Sequence, residues 1–437
     1  MYDGFYLGNL GIVYVYTIFQ KRATDCSTHL YILIKKSQIE ENVMRFTIKE
    51  SDLLVINDEK VVAAYSKYVK NILRNKTNVI LELTKQENSY EVNFYENNLP
   101  ASYFGPIFFP SKDPDEIGEV HYVELTPKAL ALLVPEANET TFELKERFMI
   151  IKQGPLTIRD SYESSKEEVK AKLDSYSDLF ENKEGEVITL NKESPLTLTL
   201  AVLSSNPDAH IDILDGFLTY SQGTFLHRSP TEIEGDYFIN SYLATKIVNI
   251  LGYCERVELW KSNTITLKGY INEGDADPIV LNISPVYERE DEPYSDEEIE
   301  ANKPKDAEEI SVPFEELIST FDIAKAKIRS FLDKDANLCT FTKNGNGATF
   351  KLSTGDEDVG ITDIAINIGQ IDPELDENKL DADAYVGYKI NIPLSYLKQT
   401  QFGVSTLKIL HDDNDITAVE LRLDNLKEGE VMLVGKE

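Results

Sequence analysis

The chain is poor in the residues that build compact chemical sites. Of its 437 residues only three are cysteine, Cys26, Cys254 and Cys339, far apart and odd in number. That argues against a disulfide framework and a zinc knuckle and points to a reducing compartment, the cytoplasm (of the host cell for a viral protein). Histidine is nearly as scarce. His29, His121, His210, His227 and His411 are scattered, and each reads as a surface or strand-edge residue rather than a base or ligand. No run of eighteen apolar residues occurs, so no membrane-spanning helix is expected. The apolar start "MYDGFYLGNLGIVYVYTIFQKRATD" lacks a basic leader and a small-residue cleavage site and does not read as a signal peptide. Phosphate-cradling glycine loops, His-Glu-x-x-His and Gly-x-Ser-x-Gly are missing too. No catalytic residue, cofactor or metal is therefore assigned. Asp275/Asp277 and Asp412/Asp413/Asp415 lie in turn-like stretches, where carboxylates make turns more often than they hold a divalent cation.

Positive charge is also in deficit. There are 76 acidic and 44 basic residues, a net charge of −32. Such a chain does not coat nucleic acid with its whole surface; any contact with DNA has to run through a local basic face. Apolar residues, at 42%, are plentiful enough for a real core.

What is present is repetition. A helical apolar segment followed by short strands recurs over Ala63–Tyr95, Pro127–Asp160, Leu196–Arg228 and Phe238–Tyr270. A fifth copy opens at Phe314 and turns at Asn344-Gly345-Asn346-Gly347, and a sixth covers Pro393–Leu423. The fourth is the clearest: "FINSYLATKIVNILG" has helical spacing, and "CERVELWKSNTITLKGY" reads as two strands about Lys261-Ser262-Asn263. Asn344-Gly345 and Asp215-Gly216 supply the positive φ angles of tight hairpins. The copies are spaced by roughly 45 to 80 residues, too irregularly for a solenoid. A duplicated half-domain fits better, because paired units cover each other's open sheet edges and faces.

Two polar stretches punctuate the repeats. Ser161–Glu186 carries Val169, Leu173, Tyr176 and Phe180 at helical spacing and reads as a helical linker. Glu288–Glu309 holds eleven acidic and three basic residues with two prolines and reads as a mobile, solvated connector. They divide an α+β chain into three domains, 1–160, 187–287 and 310–437. Residues 1–60 fit no clean unit, although "LYILIKK" and "RFTIKESDLLVI" read as strands.

The helices carry the informative cations. Over 61–74, Val61, Tyr65, Val69, Ile72 and Leu73 form an apolar stripe, and Lys67, Lys70 and Arg74 share the opposite face. In the fifth copy Lys325 and Arg329 fall four apart, with Lys327 and Lys334 near by, and Lys246 lies in the fourth. Each lysine alone is ordinary solvated surface; two helices with basic outer faces in so acidic a chain suit a phosphate backbone held without reading sequence.

This pattern resembles the DNA sliding clamps: bacterial beta clamps, the proliferating-cell clamps and phage clamps. They repeat a helix-plus-hairpin half-domain, which "YLATKIVNILGYCERVELWKSNTITLKGY" matches best. The resemblance covers about 60–437. It implies a non-catalytic closed ring with sheets outside and helices lining a hole that encircles duplex DNA, tethering a polymerase and served by a clamp loader. Three domains per chain imply a homodimer and two a homotrimer. Lys67, Lys70, Arg74, Lys246, Lys325, Lys327 and Arg329 would then face the channel. A partner-peptide pocket is implied at Gly223 and Leu226 of "SQGTFLH", at Pro285 and Val286, and at Val431, Met432 and Leu433 of the last strand. Abundant Tyr, Asn and Ile point towards a phage. The alternative from another class is a β-rich structural protein such as a virion or tail component; an enzyme with an unrecognised carboxylate site is a third.

Overall fold

The computed structural model describes residues 44–96, 102–111, 120–133, 139–145, 148–161, 170–171, 185–289, 292–305, 307–327, 339–344, 347–354, 362–368, 389–401, 403–412 and 418–435. The first stretch holds β1 (Met44–Ile48), α1 (Glu50–Ile56), α2 (Glu59–Asn75), β2 (Val79–Lys85), β3 (Ser89–Glu96) and β4 (Ser102–Pro110). It continues with β5 (Val120–Leu125), α3 (Pro127–Ala131), β6 (Thr140–Lys145), β7 (Phe148–Gln153) and β8 (Leu156–Ser161). Next come β9 (Glu186–Asn191), α4 (Pro195–Leu203), β10 (Ala209–Leu214), β11 (Phe217–Gln222) and β12 (Phe225–Pro230). They are followed by β13 (Tyr237–Asn240), α5 (Ser241–Leu251), β14 (Arg256–Lys261), β15 (Thr264–Tyr270) and β16 (Val280–Pro285). The rest is α6 (Asp296–Ala301), β17 (Glu308–Pro313), α7 (Phe314–Lys327), β18 (Cys339–Asn344), β19 (Gly347–Thr354) and β20 (Thr362–Ile368). The chain closes with β21 (Lys389–Ile392), α8 (Leu394–Thr400), β22 (Thr406–His411), β23 (Ala418–Leu423) and β24 (Val431–Gly435).

Local chemistry explains these elements. The Asp58 side chain caps α2 by accepting from the Lys60 N–H at 2.8 Å, and Lys76 ends the helix in the left-handed region. Inward Tyr65, Tyr68, Val69 and Ile72 are buried in the core, where Tyr65 and Tyr68 pack on Phe94 and Phe104, with Tyr68 stacked on Phe104 at 4.6 Å. In β3 buried and half-buried residues alternate, as the two-residue strand period requires. The β10–β11 hairpin turns on Asp215 and Gly216, both at positive φ, as the Asp-Gly pair predicts.

The repeat is more regular than helix plus hairpin. Each of the six units is strand, helix and three strands: β1/α2/β2–β4, β5/α3/β6–β8, β9/α4/β10–β12, β13/α5/β14–β16, β17/α7/β18–β20 and β21/α8/β22–β24. The leading strand does not stay at home. β1 pairs β6 and β5 pairs β2; β9 pairs β14 and β13 pairs β10; β17 pairs β22 and β21 pairs β18. Units are therefore interlocked two by two, each lending a strand to its sister's sheet.

Between pairs, sheets fuse edge to edge. β4 pairs β16, with Val280 opposite Phe104, and β12 pairs β24, with Leu226 opposite Leu433. The result is two eight-stranded sheets, β5-β2-β3-β4-β16-β15-β14-β9 and β13-β10-β11-β12-β24-β23-β22-β17. Two four-stranded sheets are left, β1-β6-β7-β8 and β20-β19-β18-β21, with β1 and β8, and β20 and β21, as outer strands.

Several expectations change. "RFTIKESDLLVI" is a strand and then a helix: β1 ends at Ile48, and α1 anchors itself through buried Leu53. It is the missing leading strand of the first unit. The connector 288–309 is not wholly solvated, because α6 forms within it and Ile299 is 5% exposed. A Ser295–Glu298 capping box stabilises that helix. "LYILIKK" and most of the 161–186 linker lie outside the described residues. Among the described residues no helix is long and apolar enough to cross a membrane.

Candidate nucleic-acid face and partner patch

Lys60, Lys67, Lys70 and Arg74 are exposed on α2 and lie within about 80° of one another around its axis. They do not all do the same thing. Lys60 Nζ donates to Glu255 Oε1 at 3.0 Å and Asn272 Oδ1 at 2.7 Å. Lys67 Nζ donates to the Gly252 carbonyl at 2.6 Å, at the C-terminus of α5, where the helix dipole favours a cation. These two brace the first stretch on the second, each keeping N–H donors towards solvent. Lys70 and Arg74 have no ion pair among the described residues and are the freest cations of the face.

Lys246 departs from the expectation. Its ammonium is half-buried, donating to Asn282 Oδ1 at 3.0 Å and Ser284 Oγ at 3.2 Å and lying 4.7 Å from the Tyr242 ring centre. Burial pulls its pKa down to about 8, and nearby Glu96 opposes that pull. It is an inward-tied lysine and no free phosphate ligand. Lys325 and Lys327 lie in the last turn of α7, whereas Arg329 lies outside the described residues.

The pocket residues separate into four groups. Gly223 has φ +55 in the turn between β11 and β12, a conformation that favours glycine. Leu226 and Leu433 face each other across the fused β12–β24 pair and share one small cluster with Ile299 and half-buried Val431. Met432 points to the opposite side and is fully buried in the main core, as the strand alternation demands. Pro285 and Val286 belong to the other eight-stranded sheet, at the end of β16. Val286 lines a separate cavity of about 210 Å³ with Tyr237, Leu243, Leu259, Lys261 and Arg289. Neither residue joins the Leu226 patch. Ile299 was missed; its signal was a single isoleucine at helical phase in an otherwise acidic stretch.

His227 is the other surprise. It is buried, not surface: Nε2 is 2.6 Å from Glu430 Oε1 and Nδ1 is 2.5 Å from the Tyr396 hydroxyl. A neutral ring satisfies both if Nε2–H donates to the carboxylate and Nδ1 accepts from the phenol. Burial pushes Glu430 up, but hydrogen bonds from His227 and the Lys427 backbone outweigh it and hold the carboxyl below its usual range.

The acidic turns hold themselves. Asp275 accepts from the Asn272 N–H at 2.9 Å, and no metal-holding group of His, Cys, Asp or Glu occurs among the described residues. Asp413 and Asp415 lie outside them. Cys254 is buried, and burial raises its thiol to about 12.

No protein-family model and no curated protein matches this sequence. Solved structures do. The DNA polymerase sliding clamp of Pseudomonas aeruginosa is 12% identical, with 90% of this chain and 99% of that one covered and a TM-score of 0.52. A putative DNA polymerase III beta subunit of Eubacterium rectale gives 13% identity, the same coverages and 0.53. The Bacillus subtilis sliding clamp gives 15% identity, again 90% and 99% coverage, and 0.52. The chain has the DNA sliding-clamp fold. In this clamp fold the fused β12–β24 pair carries the apolar patch on one side. On the other side lies the buried His227–Glu430–Tyr396 group.

Proposed function

We propose that this chain is a non-catalytic DNA clamp. Two copies close into a ring around double-stranded DNA, and the ring tethers a replicative polymerase. One observation carries the reading: six interlocked units make three pairs, fused by β4–β16 and β12–β24, with four-stranded sheets left at both ends. In both fusions the last strand of one unit meets the last strand of a unit in the neighbouring pair. Continuing that rule joins β20 of one copy to β8 of the next. Two copies then form a six-pair ring in which every sheet is eight-stranded and the β8 and β20 edges are covered.

The electrostatics support a DNA channel. In a chain of net charge −32, α2 presents Lys67, Lys70 and Arg74 together, and Lys325 and Lys327 recur on α7. Such faces grip phosphates without reading bases. The junction patch of Leu226, Val431 and Leu433, on which Ile299 packs, is the docking place for a polymerase or loader segment.

A structural-assembly reading rests on the same open edges, since a head-to-tail contact that fails to close runs on into a filament. Native mass with negative-stain imaging decides. The clamp reading requires a closed dimer with a central hole; an open filament overturns it.

A further inference from the structure

We infer that the connector helix α6 is a displaceable latch on the β12–β24 patch, and that it imitates the partner: a segment bearing an aliphatic side chain three residues after a carboxylate. This rests on the docking half of the proposed function and on neither the ring nor the DNA.

Leu226 and Leu433 are 5% and 6% exposed, and they share their cluster with Ile299. α6 is six residues long, too short to hold itself as a helix, and Ile299 is its one buried residue. Its other tie to the sheet is an ion pair between Arg228 Nη1 and Asp296 Oδ1 at 2.6 Å, with Asp296 78% exposed. Arg228 is largely buried, but the carboxylate of the pair is open to water, which weakens it. The remaining bonds are internal: Ser295 with Glu298, and Lys303 with Glu300. Lifting α6 would bare Leu226, Leu433 and Val431 without disturbing β12–β24, which the His227–Glu430–Tyr396 group pins from the other side.

The seated helix defines the occupant. Asp296 and Ile299 are three apart, on one helical face, and reach Arg228 and the leucine pair together. Arg228 is itself prepared for more. Its guanidinium lies 3.9 Å from the Phe217 ring centre, and its buried Nε has no hydrogen-bond partner. A partner carboxylate that took both Nε and Nη would bind bidentately where Asp296 binds once. Such a segment outcompetes α6 on the same footprint.

The test needs no DNA and no polymerase, so it stands or falls apart from ring closure. The probe is a dye-labelled peptide of this chain's own 292–303 sequence, with a control in which its aspartate at 296 and isoleucine at 299 are alanine. The Ile299→Asp variant should bind the probe about tenfold more tightly than wild type, because the patch is no longer occupied. The control peptide should bind neither, and adding Arg228→Met should remove most of the gain. In wild-type protein, hydrogen exchange over 295–301 should be far faster than over β12 and β24. Equal probe affinity in wild type and Ile299→Asp overturns the latch. So does amide protection of 295–301 equal to that of β12 and β24, a measurement that needs no variant to fold.

Discussion

His227 lies one residue from Leu226 and faces the other way, so one strand carries the patch on one side and its anchor on the other. Removing the ring leaves Glu430 Oε1 without its partner, while Oε2 keeps the Lys427 N–H, and His227→Ala should cost about 2 kcal/mol of stability. Chemical denaturation of the two proteins measures it. Acid should act through the same pair. Glu430 is held below its usual range in the fold, so its contribution is complete above the unfolded pKa and fades as pH falls through the folded one. Melts of Glu430→Gln should therefore lack part of the wild-type loss below the ordinary glutamate range. Lys246 shifts stability with pH in the same direction, but in an alkaline window. Its folded pKa is about 8 against an ordinary 10.5, so the unfolded chain holds the proton more tightly between those values. Wild type should gain stability relative to Lys246→Gln as pH rises through that window, and parallel melting curves would refute it.

At the scale of elements, α2 was legible and the leading strands were not. A 17-residue helix with an apolar stripe, an aspartate cap and basic residues at spacings of three and four announces itself by period. A four- or five-residue strand such as β13 or β1 leaves almost no periodic trace, and its partner lies in a sister unit and not in its own hairpin. Hence the sequence shows six helices with hairpins but hides the exchange that locks them in pairs. The same limit applies to the candidate site. Lys246 shares helical phase with exposed residues, and only the fold reveals Asn282 and Ser284 beneath its ammonium. Pro285 and Val286 end a strand near the patch in sequence, yet that strand belongs to the other fused sheet. These placements yield a discriminating prediction. Replacing Lys70 and Arg74 by glutamine should flatten the dependence of log DNA affinity on log salt by about two per copy. Lys246→Gln should leave that slope unchanged. Binding isotherms across a salt series read both, and an equal effect of the three substitutions would remove α2 from its special role.

At the scale of the whole molecule, the proposed ring closure rests on two edges, β8 and β20. β8 follows a two-residue turn, Gly154-Pro155, with Gln153 opposite Leu156. That hairpin sends the N–H groups of Leu156, Ile158 and Asp160 towards β7 and those of Thr157 and Arg159 outwards. A proline at an outward position removes a donor from the free edge and spares the home sheet. Thr157→Pro should therefore leave the melting temperature of the single chain within a few degrees while lowering native mass from dimer to monomer. Proline at inward Ile158 should instead unfold the β7–β8 hairpin, which separates a lost interface from a lost fold. A Thr157→Pro protein that remains a dimer would place the joint elsewhere than β8, and the head-to-tail rule drawn from β4–β16 and β12–β24 would not extend across copies.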